Sequence, residues 1–582
     1  MNEEERLHIS EYPYRQKDHL TYPEITLYQA VKNSAALYPD DTAIEFYGRK
    51  ISYSRFLRDI NRAADAFSYC GIGQGDAITL CLPNTPKALT ALYAINRLGA
   101  IANIVHPLSS QNEITYYLNL SESKIIVTID LFYEKVAKAV MNSNHNIMVL
   151  VTRMQDDLPK KLIPFYTLNK GMKYLKYPGL HVTDPREVDA KMKVMLWKFF
   201  IVLGNPDRPM EEAPFDPERC SLILYSGGTT GAPHGVKLSD MNINAECVQA
   251  VEALGTPFER GMKVLGCLPI FHGFGLAIGV HVPMLRGICC SLMPTFNKKT
   301  FSDAMRKKKP NYIAGVPTIF DALLHIPELN DVDLSYVSGF YSGGDALSID
   351  LKKRLDIFLK EHNASIQVRE GYGLTECVAA SCLTPRDEYR EGSIGIPFPD
   401  MRYAIVKPGT MDVLPPNTEG EIVISGPTVM LGYLKNDEGT ENIIETVDGV
   451  RWLHTGDLGI IDEDGYVFFR QRLKRMIITN GYNVYPTSVE RAINACADVD
   501  SCCVIGVKDP RRVQKVRAYV VLKGGVKNDE ATRDRIMNEI RLSVSSYALP
   551  RELIFRDSLP KTQVGKIAYR VLEEEAEKEG KV

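Results

Sequence analysis

The densest chemistry in the chain lies in Tyr225-Ser226-Gly227-Gly228-Thr229-Thr230-Gly231-Ala232-Pro233-His234-Gly235. Glycine lets backbone N–H groups come close to a ligand, and the hydroxyls of Ser226, Thr229 and Thr230 add donors, so this loop can wrap a polyphosphate. It is not a Walker A loop, because no Lys-Ser/Thr pair follows a G-x4-G spacing. The apolar run Leu222-Ile223-Leu224 leads in and a helical pattern from about Asn242 leads out, which predicts strand, loop, helix. Alone, a Gly/Thr-rich stretch is more often a plain turn, and the rest of the chain has to decide.

Further polar turns follow expected strands. Val264–Leu268 ends in Pro269-Ile270-Phe271-His272-Gly273-Phe274-Gly275, and a strand from Tyr312 ends at Gly315-Val316-Pro317-Thr318. Phe340-Tyr341-Ser342 ends in Gly343-Gly344-Asp345, and Ile366–Tyr372 ends in Gly373-Leu374-Thr375-Glu376. In open parallel sheets ligands gather at the carboxyl ends of strands, so these turns read as one site.

The elements that must position them alternate. A helix at about Thr26–Tyr38, a strand around Thr42–Phe46, a helix over Ser52–Ser68, strand Ala77–Leu82, helix 86–98, strand 101–105, helix 111–119 and strand Lys124–Ile129 argue for parallel sheets covered by helices. Gly71-Ile72-Gly73-Gln74-Gly75-Asp76 follows a helix and precedes a strand, the wrong order for a dinucleotide fingerprint, and reads as a turn. An insert at 155–215 breaks the alternation. Within 160–203 it is basic and interleaved with Phe165, Tyr166, Tyr174, Tyr177, Trp197, Phe199 and Phe200, which fits either peripheral membrane contact or an element packed on its own domain. From about 390 to 471 short alternating strands between Gly/Pro turns suggest a small antiparallel barrel or sheet.

Bulk properties narrow the class. A chain of 582 residues exceeds one hydrophobic core and implies several packed units. Its net charge of −3 makes no case for nucleic-acid binding. Its 12 cysteines show neither a C-x-x-C pair nor Cys/His metal spacing, the pattern of thiols in a reducing compartment. The start, Met1-Asn2-Glu3-Glu4-Glu5-Arg6, is acidic, and no apolar run reaches the ~18 residues that span a bilayer. The expected location is the cytoplasm, with peripheral membrane contact left open.

Several motifs stand in order: the Ser226–Gly235 loop, Pro269–Gly275, Tyr372–Glu376, Trp452-Leu453-His454-Thr455-Gly456-Asp457, Arg472-Leu473-Lys474, Gly481 to Pro486, and Pro560–Lys566. In content and order the chain resembles the adenylate-forming superfamily, acyl-CoA synthetase branch, from about residue 25 to 570. The resemblance implies an α/β fold: a large N-terminal domain of doubly wound α/β subdomains plus a small β-barrel (1–471), a hinge at 472–475, and a small mobile α+β domain (476–582). It implies ATP-dependent conversion of a carboxylic acid to acyl-AMP, then transfer to coenzyme A, with Mg²⁺ required. Ser226, Gly228, Thr229, Thr230 and Gly231 would hold the β- and γ-phosphates. Thr375 would donate to a phosphate, and Glu376 would hold Mg²⁺. Gly344, Asp345, Ala346, Gly371, Tyr372 and Gly373 would complete the nucleotide site, with Asp457 and Arg472 on the ribose. Lys566 would bridge the carboxylate and the α-phosphate. His272 would line the acyl pocket and move aside for the thiol. Lys474 falls at the hinge, and Gly481 would let pantetheine pass.

The chain departs from the family where His234 replaces the loop lysine and where Ser226-Gly227-Gly228 replaces Thr-Ser-Gly. Val513-Gln514 replaces the usual Gly-Glu of the small domain. No acid follows the Pro269 turn to pair with a substrate amine, so amino acids are disfavoured. The expected pocket wall, Phe271, His272, Gly275, Val316, Tyr341, Gly343 and Gly371, suits a medium- or long-chain fatty acid. An aryl-CoA ligase, an acyl-AMP ligase that loads a carrier-protein phosphopantetheine, and a degenerate nucleotide-binding scaffold remain as alternatives. Oligomeric state is not legible.

Overall fold

The computed structural model describes residues 19–166, 192–226, 233–475, 477–479, 482–484, 486–509, 513–541, 544, 548–562 and 566–579. Among them the chain forms two compact units, 19–402 with 425–453 and 403–424 with 454–579.

The larger unit holds two mixed sheets. One has eight strands, in the spatial order Gly432–Tyr433, His234–Ser239, Cys220–Ser226, Ile101–Ile104, Ala77–Cys81, Ile125–Ile129, Ile147–Thr152 and Met192–Leu196. From Cys220–Ser226 onward every neighbouring pair is parallel. The other has nine strands: Ile396–Pro397, Cys382–Leu383, Val368–Tyr372, Gly339–Ser342, Tyr312–Gly315, Lys263–Gly266, Cys289–Leu292, Thr42–Phe46 and Arg49–Ser52. From Val368–Tyr372 to Thr42–Phe46 it too is parallel throughout. Both sheets feed one apolar cluster that includes Leu80, Ile104 and Leu222 from the first and Cys290 and Leu292 from the second. Parallel strands buried on both faces require such continuous apolar runs.

Three local features differ from the sequence expectation. The Gly/Thr loop does not run directly into a helix: Ser226 pairs with His234 in an antiparallel hairpin, and the helix begins at Asp240. Val236 and Leu238 are buried at strand spacing, a signal too short to stand out beside the helical spacing of Ile243, Cys247, Ala250 and Leu254. The second concerns the insert, of which residues 167–191 lie outside the described residues. Its end, Met192–Leu196, is a strand paired with Ile147–Thr152, and Trp197 and Phe200 pack on Phe67 with ring centroids 6.3 and 4.7 Å away. The third is the helix after Phe274, which opens as a π-helix over Gly275–His281.

In the smaller unit residues 457–461 pair antiparallel with Val467–Arg472. A second sheet pairs Val499–Asp509 with Val513–Leu522 antiparallel, and Glu552–Phe555 lies parallel to the latter. Glu530–Ile540, capped by Asp529, and Tyr569–Glu579 are helices of this unit.

Asp240 roots the helix that follows the loop hairpin. It is fully buried, pairs with Arg219 at 2.5 Å, and accepts from Asn96 Nδ2 at 2.6 Å. Ser239 and Asn242 close a reciprocal capping box around it, and Gly255, at φ 61°, ends the helix. Asp240→Ala leaves the Arg219 guanidinium buried without its counter-charge. The expected loss is about 3–5 kcal/mol, read as a lower midpoint for the larger unit in urea or heat.

Candidate active site

Four parallel strands of the nine-stranded sheet stand side by side: Lys263–Gly266, Tyr312–Gly315, Gly339–Ser342 and Val368–Tyr372. Parallel pairing sends their carboxyl ends to one edge, where Pro269–Gly275, Val316, Gly343-Gly344-Asp345-Ala346 and Gly373–Glu376 emerge together. The turns touch. The Gly343 N–H donates to the Gly315 carbonyl at 3.1 Å. A Cβ on Gly343 would lie 3.1 Å from the Phe274 ring and 3.4 Å from the Gly371 carbonyl, and one on Gly344 would lie 3.4 Å from Val316. Two glycines are obligatory here: a Cβ at Gly273 would sit 1.6 Å from the Val378 oxygen, and one at Gly373 1.5 Å from the Ala379 oxygen. Tyr341 turns away from this contact, its hydroxyl against Gly339 and the Arg369 guanidinium 5.9 Å over its ring, and burial pushes its phenol up to about 12.

The Pro269 turn is fastened by two residues that the sequence reading missed. Asn84 Nδ2 donates to the carbonyls of Gly266 and Leu268 at 3.2 and 2.7 Å, and its Oδ1 accepts from Ile270 N–H at 3.0 Å. His106 stacks on Phe271 with centroids 4.0 Å apart and accepts from the Leu108 amide through Nδ1 at 2.8 Å. The Phe274 amide lies 3.4 Å from His272 Nδ1. Asn84 and His106 both follow parallel strands, so the strand-end rule applied to the first half of the chain would have found them.

At the loop hairpin, Gly228, Thr229, Thr230 and Gly231 lie outside the described residues. Its roots, Ser226 and His234, are paired, and His234 stacks on Tyr433, whose phenol donates to Glu376 Oε1 at 2.9 Å. Burial, then the Glu376 charge, raises that phenol far above its ordinary range, so it stays a proton donor. Nothing local marks Tyr433; it arrives only because Gly432–Tyr433 pairs with Lys237 and Val236.

Between the Gly344 turn and Tyr372 stands Glu370, which accepts from the Leu347 amide at 2.9 Å. Burial pushes its carboxyl up to about 7; the Leu347 amide and Lys352 pull it down, and Asp345 adds to the rise.

The smaller unit carries the remaining candidates. Asp457 and Arg472 are cross-strand neighbours, with Nε 3.3 Å from Oδ1; Asp457 is buried and Arg472 half exposed. Glu421 braces this turn. It pairs with His454 at 3.1 Å and accepts from the Gly456 amide at 3.1 Å. Burial alone would raise Glu421, but His454 and the amides of Gly409 and Gly456 outweigh it and hold the carboxyl below its usual range. Lys566 is half-buried on a small hairpin, where the Thr562 amide donates to its carbonyl at 2.6 Å and its own amide donates to Thr562 Oγ1 at 3.1 Å. The backbone of Lys474 lies in the turn Leu473–Arg475, and Gly481 lies outside the described residues. Arg475, next to Lys474, is locked to Glu490 at 2.5 Å, to the Val504 carbonyl at 3.2 Å and over the Tyr569 ring at 4.8 Å.

A family model described as AMP-binding enzyme matches residues 31–434, and one described as AMP-binding enzyme C-terminal domain matches 488–566. The long-chain-fatty-acid–CoA ligase of Bacillus subtilis (strain 168) is 34% identical over 577 residues, 98% of either chain. The ligase of the same name from Escherichia coli O6:H1 is 31% identical over 561 residues, covering 95% of this chain and 94% of that one. Among solved structures, ATP-bound MatB from Rhodopseudomonas palustris matches with a TM-score of 0.79 at 25% identity, over 94% of this chain and 98% of that one. The chain belongs to the AMP-binding enzyme family, the adenylate-forming class that its sheet edge and motifs define. Within it, the chain is an AMP-forming acyl-CoA synthetase, which activates a carboxylic acid with ATP and passes the acyl group to coenzyme A.

Glu370 yields a pH prediction. Its carboxyl rises from 4.5 to about 7 on folding, so the stability it contributes is complete below the lower value and is lost as pH climbs through the higher. Glu370→Gln stays neutral throughout. Its melting temperature is expected to rise relative to the parent as pH goes from about 5 to about 8, by the equivalent of on the order of 1–3 kcal/mol. A pH-independent difference between the two proteins would contradict this.

Proposed function

We propose that the substrate is a medium- or long-chain fatty acid, and that residues of the sheet edge in the larger unit and of the smaller unit divide the reaction as follows. The observation that carries the reading is the side-by-side placement of the four parallel strands, which brings the apolar wall of Val316, Phe274 and the small residues Gly343 and Gly371 beside the polar Thr375-Glu376 turn. The names of the Bacillus and Escherichia relatives support the long chain.

Glu376 and Thr375 receive the triphosphate with Ser226 and the Gly/Thr loop. Among the described residues no group of three or more His, Cys, Asp or Glu side chains could hold a metal ion. The single carboxylate of Glu376 fits Mg²⁺, which binds through one or two carboxylates plus substrate phosphates. Bound there, Mg²⁺ would neutralise charge developing on the phosphates. Gly344-Asp345-Ala346 and Gly371-Tyr372-Gly373 take the nucleotide base, and buried Asp457 accepts from the ribose hydroxyls with Arg472 beside it. Lys566 supplies positive charge between the carboxylate and the α-phosphate as the acyl–phosphate bond forms and pyrophosphate leaves. His272 then yields to the thiol of coenzyme A, which attacks the acyl carbonyl and expels AMP.

The two half-reactions divide the chain at a hinge, 472–475, between 1–471 and 476–582. What supports this placement is that Arg475 is anchored on Glu490, Val504 and Tyr569, all C-terminal to the proposed pivot Lys474. The enzyme works in the cytoplasm and touches membranes peripherally. Phe199 and Val202, 41% and 77% exposed, supply the apolar contact, and Lys198, 4.6 Å over the Phe199 ring, supplies the charge. Among the described residues no helix is long and apolar enough to cross a membrane.

Two experiments test this. Mass-spectrometric product analysis with ATP, Mg²⁺ and coenzyme A across acids from acetate to oleate is expected to give acyl-CoA with a maximum at a long chain. Lys566→Ala should reduce acyl-AMP formation by about 100-fold or more while sparing thiolysis of supplied acyl-AMP. Acyl-AMP without acyl-CoA would point instead to a carrier-protein acceptor. In flotation with anionic liposomes, Phe199→Ser with Val202→Ser is expected to lose the lipid-bound fraction. Equal flotation of parent and variant would remove the membrane contact. The double substitution is preferred to deleting 160–200, which would remove the edge strand Met192–Leu196.

A further inference from the structure

One side chain links the described elements at the phosphate end. The Tyr433 phenol donates to Glu376 Oε1 at 2.9 Å. Its ring stacks on His234, with centroids 4.6 Å apart and planes 26° apart. Ser226 and His234 are paired at the mouth of the Gly/Thr hairpin, so Tyr433 links the paired roots of that loop to the Thr375-Glu376 turn. Tyr433 is itself fixed: its amide donates to Thr440 Oγ1 at 2.8 Å, and its strand pairs with Val236 and Lys237.

The His234 ring is oriented through one of its nitrogens. Asn436 caps the short helix Asp437–Glu441, its Oδ1 accepting from the Gly439 amide at 2.9 Å. That bond settles which way the Asn436 amide points, and Nδ2 faces His234 Nδ1 at 3.3 Å. An amide NH₂ only donates, so Nδ1 accepts and the imidazole proton sits on Nε2. The residue at the mouth of the loop thus presents Nε2–H, oriented by a helix cap on the other nitrogen and a tyrosine under its face.

We propose that Tyr433 is a positioning residue for the triphosphate: it sets Glu376 against the paired roots of the Gly/Thr loop, with His234 presenting Nε2–H between them. This rests on the reading that Glu376 and the loop receive the nucleotide. Tyr433 acts through Glu376. Without the phenol oxygen the carboxylate loses the donor that orients it, while the ring still supports His234.

The test compares Tyr433→Phe, Glu376→Gln and the double variant. Calorimetry measures the affinity of a non-hydrolysable ATP analogue with Mg²⁺ and with EDTA, and kinetics give KM for each substrate. Tyr433→Phe is expected to weaken Mg²⁺-dependent analogue binding and raise KM for ATP about tenfold, the scale of one hydrogen bond to a charged group. KM for the fatty acid should not change. The double variant should bind no worse than Glu376→Gln alone, because both changes remove the same oriented carboxylate. If Glu376→Gln keeps the full Mg²⁺-dependent gain, the underlying reading of the site fails. If Glu376→Gln abolishes that gain while Tyr433→Phe binds like the parent, the inference alone is overturned. Additive losses in the double variant, or equal KM increases for all substrates, also overturn it, since they mark a residue that only holds the fold.

Discussion

The parallel ladder of the nine-stranded sheet is the constraint on which the candidate site depends. Parallel pairing fixes direction, so the strands from Lys263, Tyr312, Gly339 and Val368 deliver their turns to one edge whatever the helices between them do. It also leaves the turns too close for ordinary side chains. At Gly273 and Gly373 a Cβ would overlap a neighbouring carbonyl oxygen, so glycine there serves contact between turns. The backbone is thus the inner surface of the site, and side chains project only where a turn leaves room.

Charge is held by different means at different points. Asp240 and Arg219 are a buried pair whose value is to anchor a helix. Glu376 keeps its carboxylate oriented by a phenol that stays protonated. Glu421 braces the Asp457 turn with both oxygens engaged, by His454 and by backbone amides. In the last two cases a group that meets no reacting atom limits the orientations of one that is a candidate to do so. That division matches an enzyme whose chemistry is electrostatic stabilisation of a transferring group, where placement of charge matters more than its amount.

The motifs legible in sequence were those with local signatures: glycine runs, a Thr-Glu turn, a Thr-Gly-Asp turn and a lysine after a glycine. Residues that hold them were less visible. Asn84 and His106 follow strands but stand in turns without glycine runs, and Tyr433 sits on a two-residue strand that no periodicity can reveal. The Gly/Thr loop was read as strand, loop, helix because six residues of returning strand, His234–Ser239, are shorter than the helical signal behind them. The edge strand Met192–Leu196 was obscured by the basic, aromatic composition of the insert around it.

By itself the sequence determined the class. Alternating apolar segments require parallel sheets, and the ordered motifs carry the adenylate-forming chemistry, because both depend on residue types at short range. Tertiary structure alone decided which side chains meet. Cross-strand pairing set Asp457 beside Arg472, and a helix cap chose the tautomer of His234. Pairing of Gly432–Tyr433 with Lys237 and Val236 carried Tyr433 to Glu376. Such contacts join positions as far as 202 residues apart, and only the three-dimensional packing of the sheets brings them within hydrogen-bond reach.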